Sequence, residues 1–144
     1  PLLMDPIFAD YMEAYGKGGV KAHALGPEAL SQLTRLYWYT VEFGLIKEPQ
    51  GLRAYGAGIL SSGGEVEYCL TSPNPRRIPI DVARVMRTLY KIDSYQETYF
   101  VIDSFKQLFD DTAPDFAPIY AALDKLEQLP ANSLLAGEIN LPHA

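Results

Sequence analysis

Apolar residues recur at helical spacing from the start of the chain: Ile7, Phe8, Tyr11, Met12 and Tyr15 share one face, with Asp5 as N-cap and Pro6 at the first helical position. The pattern predicts a short helix closing at Gly16, and Gly16-Lys17-Gly18-Gly19 reads as a flexible turn. A second start signal, Gly26-Pro27-Glu28, opens a helix of about 18 residues. Along it Leu30, Leu33, Tyr37 and Val41 form the stripe that packs the core, and Thr34, Trp38 and Glu42 form the next, with Glu42 on the buried side. From residue 46 to 72 the helical period gives way to short runs punctuated by Gly51, Gly56, Gly58, Gly63 and Gly64; Glu65-Val66-Glu67-Tyr68-Cys69-Leu70 alternates as a strand does. Pro73, Pro75 and Pro79 predict an extended linker. Residues 81–90 regain a helical pattern through Val82, Val85, Met86 and Leu89, and Tyr99-Phe100-Val101-Ile102 is a strand. Residues 104–109 make a helical turn or two, and residues 118–129 a last amphipathic helix with Ile119, Leu123 and Leu126 inward. The tail from Pro130 has no period. The fold class expected is mainly α with minor β, in one domain over residues 1–144.

Length and composition agree with that reading. A chain of 144 residues, 48% hydrophobic and 21% charged, buries a core of ordinary size. No apolar run approaches the roughly 20 residues of a spanning helix, and the opening Pro1-Leu2-Leu3-Met4-Asp5-Pro6 lacks the features of a signal peptide. It reads instead as the inside of a domain, with Leu2, Leu3 and Met4 needing burial. The single Cys69 is expected to be a small buried hydrophobe; with no second cysteine there is no internal disulfide, which fits a cytoplasmic location. A net charge of −6, with Arg76-Arg77 as the one basic pair, argues against nucleic acid as a partner. No sustained heptad run is present, so a monomer is expected.

Glu42 is the most informative residue, because it is one carboxylate inside the apolar and aromatic run Leu36-Tyr37-Trp38-Tyr39-Thr40-Val41-Glu42-Phe43-Gly44. An unpaired buried carboxylate is costly, so Glu42 must meet a cation, a metal or several donors. Two readings stand: a metal ligand or acid/base group in an aromatic pocket, or a structural carboxylate paired with Arg35, Arg53 or Lys47. Residues 55–65 combine small residues with Ser61, Ser62 and Glu65, which suits either a ligand-binding loop or a tight hairpin connection. Gly56-Ala57-Gly58 is not a dinucleotide fingerprint, since Ser61 stands where the third glycine belongs. Neither serine sits in a nucleophile elbow. His23 and His143 fall in an expected loop and tail, and His23 is a weak metal partner for Glu42. Asp110-Asp111 reads as a solvated helix end.

Tyr37-Trp38-Tyr39-Thr40-Val41-Glu42-Phe43-Gly44-Leu45 and Ala54-Tyr55-Gly56-Ala57-Gly58-Ile59-Leu60-Ser61-Ser62 resemble two blocks of the aromatic amino acid hydroxylases, in particular their bacterial phenylalanine-hydroxylating branch. The resemblance extends to the opening residues, to residues 65–70 and to residues 95–109. It implies the C-terminal portion of a catalytic domain using a non-haem Fe(II), a tetrahydropterin and O₂ to hydroxylate phenylalanine to tyrosine. By this resemblance Glu42 is the glutamate ligand of the metal, a hard anionic donor suited to Fe(II). Trp38, Gly58, Ser61 and Ser62 would shape the substrate pocket, Tyr37 and Phe43 would line the iron site, and Glu65 would accept a hydrogen bond behind it. The family's two iron histidines lie in a His-Glu-Leu-x-Gly-His-Val segment just before Pro-Leu, which corresponds to residues upstream of Pro1. The chain alone is therefore expected to be inactive. Hydroxylation of tryptophan or tyrosine, and a non-catalytic module that binds aromatic amino acids, are the alternatives.

Overall fold

The computed structural model describes residues 6–143; the Asp5 cap and the burial expected of Leu2, Leu3 and Met4 lie outside the described residues. Helices dominate and the sheet is small, as the fold class expected. Helix α1 (Pro6–Leu25) packs against α2 (Pro27–Tyr37), which passes directly into a π-helical turn at Trp38–Glu42. A hairpin of β1 (Leu45–Glu48) and β2 (Gly51–Ala54) follows, then the short helices α3 (Ala57–Ser61) and α4 (Glu65–Thr71). Strand β3 (Arg76–Pro79), α5 (Val82–Arg87), β4 (Thr98–Ile102), α6 (Phe105–Thr112) and α7 (Ala117–Leu123) complete the order.

The four strands lie in the order β2-β1-β4-β3. The hairpin is antiparallel, with Leu45 opposite Ala54, while β4 runs parallel to β1 on one side and to β3 on the other. All five residues of β4 are buried, which explains its unbroken Thr98-Tyr99-Phe100-Val101-Ile102 run: a central parallel strand is covered on both faces and shows no alternation. Three apolar clusters surround it. Leu33, Leu36 and Tyr39 meet Val85, Met86, Phe100 and Leu123; Phe8, Tyr11, Val41 and Tyr55 meet Ile102 and Leu108; Phe43, Leu45 and Ile59 meet Cys69, Tyr99 and Val101.

Several local expectations are corrected. Gly16, Lys17, Gly18 and Gly19 do not turn the chain but continue α1, which places His23 in the last turn of a helix, exposed, rather than in a loop. Residues 65–70 form α4 and not a strand, so Cys69 is buried as expected but on a helix. The linker around Pro73 and Pro75 yields a true strand, β3, at the sheet edge. Pro73 and Pro75 do stand in the bend before it, whereas Pro79 is its last residue, and Asp81 then caps α5 by accepting from the Arg84 amide at 3.0 Å. The last helix stops at Leu123, leaving Leu126 half exposed. On α2 the buried face is Ala29, Leu33 and Leu36, whereas Leu30 faces outward. Arg77 is no surface charge: its guanidinium is enclosed and donates to the carbonyls of Cys69, Pro75 and Ser72, tying the end of α4 to β3.

Candidate functional site

The π turn is the structural origin of the site. The Phe43 amide donates to the Trp38 carbonyl five residues back, at 2.9 Å. Such a widening adds a residue to the turn and breaks the spacing of four that aligns Thr34, Trp38 and Glu42. The Thr40 hydroxyl sits at its centre, donating to the Leu36 carbonyl at 2.7 Å, and lies 2.9 Å from the Tyr11 hydroxyl of α1. A side chain inserted into the helical ladder is a recognised cause of such a break. Glu42 therefore ends the turn half-buried rather than fully buried.

Glu42 has little to neutralise it. Arg35 donates to the Met86 carbonyl and Arg53 pairs with Glu48, so neither takes the structural role open to it in the sequence; Lys47 is exposed. Among the described residues the Tyr37 hydroxyl donates to the carboxylate, 3.5 Å from Oε1. Burial, and then the Glu42 charge, raise the Tyr37 phenol above its ordinary value, so it stays protonated and faces Glu42 as a donor. Among the described residues no three His, Cys, Asp or Glu side chains come together as a metal site, and His23 does not join Glu42 in one. A carboxylate so placed suits a metal as one anionic oxygen donor of a set.

Glu65 differs in kind. It is 4% exposed, and its Oε2 accepts from the Tyr99 hydroxyl at 2.6 Å and from the Gln96 amide at 3.2 Å. Burial, then the hydrogen bond to Glu65, hold the Tyr99 phenol far above its usual range, which fixes it as the donor. The Gln96 side chain passes the connection on: its Oε1 accepts from the Trp38 indole Nε1 at 3.1 Å. The Trp38 ring stacks on Tyr90, with centroids 4.4 Å apart, and leans on Phe43 at 4.7 Å. Trp38, Phe43 and Glu65 thus belong to one constellation, joined by Tyr90, Gln96 and Tyr99, which sequence reasoning missed. Tyr99 was legible as a strand residue, and both it and Gln96 fell in the 95–109 segment of the resemblance, which attached no role to either.

The glycines of the second block act on the protein's own backbone. The Tyr55 and Gly56 amides both donate to the Gly44 carbonyl, seating the start of α3 against the exit of the π turn. A Cβ on Gly58 would lie 2.8 Å from Phe43 Cζ and 2.9 Å from the Glu42 carbonyl, too close for any residue but glycine without a shift. Residues 55–61 are therefore neither a hairpin connection nor an open loop. The Ser61 hydroxyl is exposed and turns back to the Gly58 carbonyl at 3.2 Å. Ser62 is half-buried, and no hydrogen bond among the described residues joins either serine to Trp38, Glu42 or Glu65. A cavity of about 230 Å³ opens elsewhere, between α1, α2 and the start of α7, and none of the residues predicted for the site lines it.

This fold and constellation match known proteins over most of the chain. Residues 1–119 match the biopterin-dependent aromatic amino acid hydroxylase family, and the chain belongs to it. It is 68% identical over 123 residues to the phenylalanine-4-hydroxylase of Chromobacterium violaceum, covering 85% of this chain and 41% of that protein. With the phenylalanine-4-hydroxylase of Ralstonia nicotianae it shares 61% identity over 138 residues, 96% of this chain and 44% of the relative. The iron- and phenylalanine-bound crystal structure of the C. violaceum phenylalanine hydroxylase superposes with a TM-score of 0.94 at 60% identity, over 98% of this chain and 52% of that one. The chain thus spans about half the length, or less, of the relatives it matches.

Proposed function

We propose that this chain is the C-terminal part of the catalytic domain of a phenylalanine 4-hydroxylase acting with O₂ at a non-haem Fe(II). The observation that carries the reading is Glu42, a half-buried carboxylate without an ion-pair partner among the described residues, presented beside a fixed aromatic wall in a member of this family. Bound iron and tetrahydropterin would supply the activation of O₂ for ring hydroxylation. Glu42 would hold one coordination position as an anionic oxygen donor, and the Tyr37 hydroxyl steadies that carboxylate. The Trp38 ring, set against Phe43 and Tyr90, offers an apolar face for the substrate's phenyl ring and excludes water there. Gly58 keeps α3 close enough to the π turn for Ser61 and Ser62 to border the amino-acid end of the pocket. Glu65 holds the rear of the site through Gln96 and Tyr99. The two remaining metal ligands come from histidines outside this chain, so the chain alone neither binds iron nor turns over. A monomeric, cytoplasmic enzyme completes the reading; among the described residues no helix is long and apolar enough to cross a membrane.

Two measurements test it. In the longer protein that contains this chain, Glu42→Ala abolishes iron-dependent tyrosine formation; normal activity in the variant would remove Glu42 from the metal. An anaerobic Fe(II) titration of the chain itself is expected to show no saturable binding. Saturable binding lost in Glu42→Ala would mean that these residues complete a site and that the partial-domain reading is wrong. Tight phenylalanine binding by the iron-free chain would favour the non-catalytic module, and comparing products from phenylalanine, tyrosine and tryptophan decides the substrate.

A further inference from the structure

Trp38 is held by more than stacking. Its indole N–H ends on Gln96 Oε1, and the same oxygen accepts from the Lys91 amide at 3.3 Å while Gln96 Nε2 donates to the Lys91 carbonyl at 2.7 Å. Gln96 is 2% exposed, and its own amide is held by the buried Glu65 carboxylate. One side chain therefore closes residues 91–96 into a loop, places the neighbouring Tyr90 and fixes the ring that Tyr90 stacks on. Outside the loop the path is rigid: Glu65 is gripped by Tyr99 of the fully buried β4.

We infer that Gln96 is a positioning residue, the element that sets the plane of the Trp38 indole and through it the fit of the aromatic substrate. The inference rests on the function proposed above only for its second half; the mechanical half concerns Trp38 alone. The chemistry requires an amide at this place. An indole N–H can only donate, the Lys91 carbonyl can only accept, and glutamine alone among side chains of its length answers both, since glutamate lacks the donor and leucine lacks both. A neutral hydrogen bond lost here leaves a partly buried donor unpaired, so the ring is expected to leave its stacked position.

Trp38 is the chain's single tryptophan, so its spectroscopy reads this contact without interference. In Gln96→Leu the collisional quenching of Trp38 emission by acrylamide is expected to rise about fivefold, the population change that one net hydrogen bond supports. Gln96→Glu, which keeps an acceptor for the indole, should stay closer to the unsubstituted chain. Equal quenching in all three proteins would overturn the inference. Should the leucine variant fail to fold, the unsubstituted chain still decides the matter: its one indole N–H resonance is expected to exchange slowly with solvent, and fast exchange would refute the contact. In the longer protein, Gln96→Leu should raise KM for phenylalanine with iron content unchanged and lower the preference for phenylalanine over tryptophan. An unsubstituted protein that does not hydroxylate phenylalanine defeats the proposed function and leaves the spectroscopic result standing. Normal hydroxylation with an unmoved KM and preference in the variant defeats the inference alone.

Discussion

Glu42 and Glu65 are carboxylates of the same chain put to opposite uses. Glu65 is enclosed and accepts from two donors, so Glu65→Ala strands the Gln96 amide and the Tyr99 hydroxyl and should cost about 2–4 kcal/mol of stability in denaturant unfolding. Glu42 has one long contact to Tyr37, and Glu42→Ala should change stability by less than about 0.5 kcal/mol while removing any metal-dependent activity. A chain in which the two variants lost stability equally would not have its functional carboxylate at Glu42. Cys69 supplies a third test. Burial first, and the nearby Glu65 charge second, push its thiol up to about 12. A thiol so shifted holds almost no thiolate near neutral pH, so disulfide reagents should label Cys69 only after unfolding. Glu42 was legible in the sequence because a lone carboxylate in an apolar run is conspicuous. Glu65 was legible as a second carboxylate beside Ser61 and Ser62, but its role came only through resemblance, since its donors lie 31 and 34 residues away.

At the level of elements, glycine misled more than any other residue. Gly16, Gly18 and Gly19 would end an isolated helix, yet α1 runs through them because Phe8, Tyr11 and Ala22 are buried along its length and α2 lies against it. A Cβ on Gly16 would meet nothing within 4 Å. Gly16→Ala should therefore raise stability by about 0.5–1 kcal/mol, seen as a higher midpoint in thermal or denaturant unfolding. Gly58→Ala should do the reverse, by about 1–3 kcal/mol, because its methyl group would meet Phe43 and the Glu42 carbonyl. Helix α4 exposes a second ambiguity. Its residues alternate as a strand would, but Glu65 and Cys69, the two that are buried, stand four apart on one helical face. A run of six residues satisfies both periods, and tertiary packing chose between them.

At the scale of the whole molecule, the tail after α7 forms no helix or strand but acts as a strap over β3 and α5. The Leu141 amide donates to the Arg77 carbonyl at 2.7 Å, Asn140 Oδ1 accepts from the Arg77 amide, and the Thr98 hydroxyl donates to the Ala131 carbonyl. Its clasp is Glu138, gripped by Arg84 through Nε at 2.9 Å and a terminal nitrogen at 3.2 Å. Burial works against the charge on Glu138, but Arg84 and the Leu135 amide outweigh it and hold the carboxyl below its ordinary value. A carboxyl depressed in the folded state contributes stability above its unfolded value of about 4.5 and loses it as pH falls through the folded value. Exchange of the Leu141 amide should thus accelerate in acid beyond its intrinsic rate, and Glu138→Gln should remove that dependence at a cost of about 2 kcal/mol.

The sequence by itself determined the start of α2 at Pro27, the helical run that opens at Asp81, the buried run of β4, the predominance of helix and the family, because each is written in adjacent residues or in a motif. Tertiary structure alone decided the π turn held by Tyr11 and Thr40, the acceptor of the Trp38 indole and the seating of the tail. These depend on partners 29, 58 and 63 residues apart, whose hydrogen bonds leave no period in the chain and form only once the helices have packed around β4.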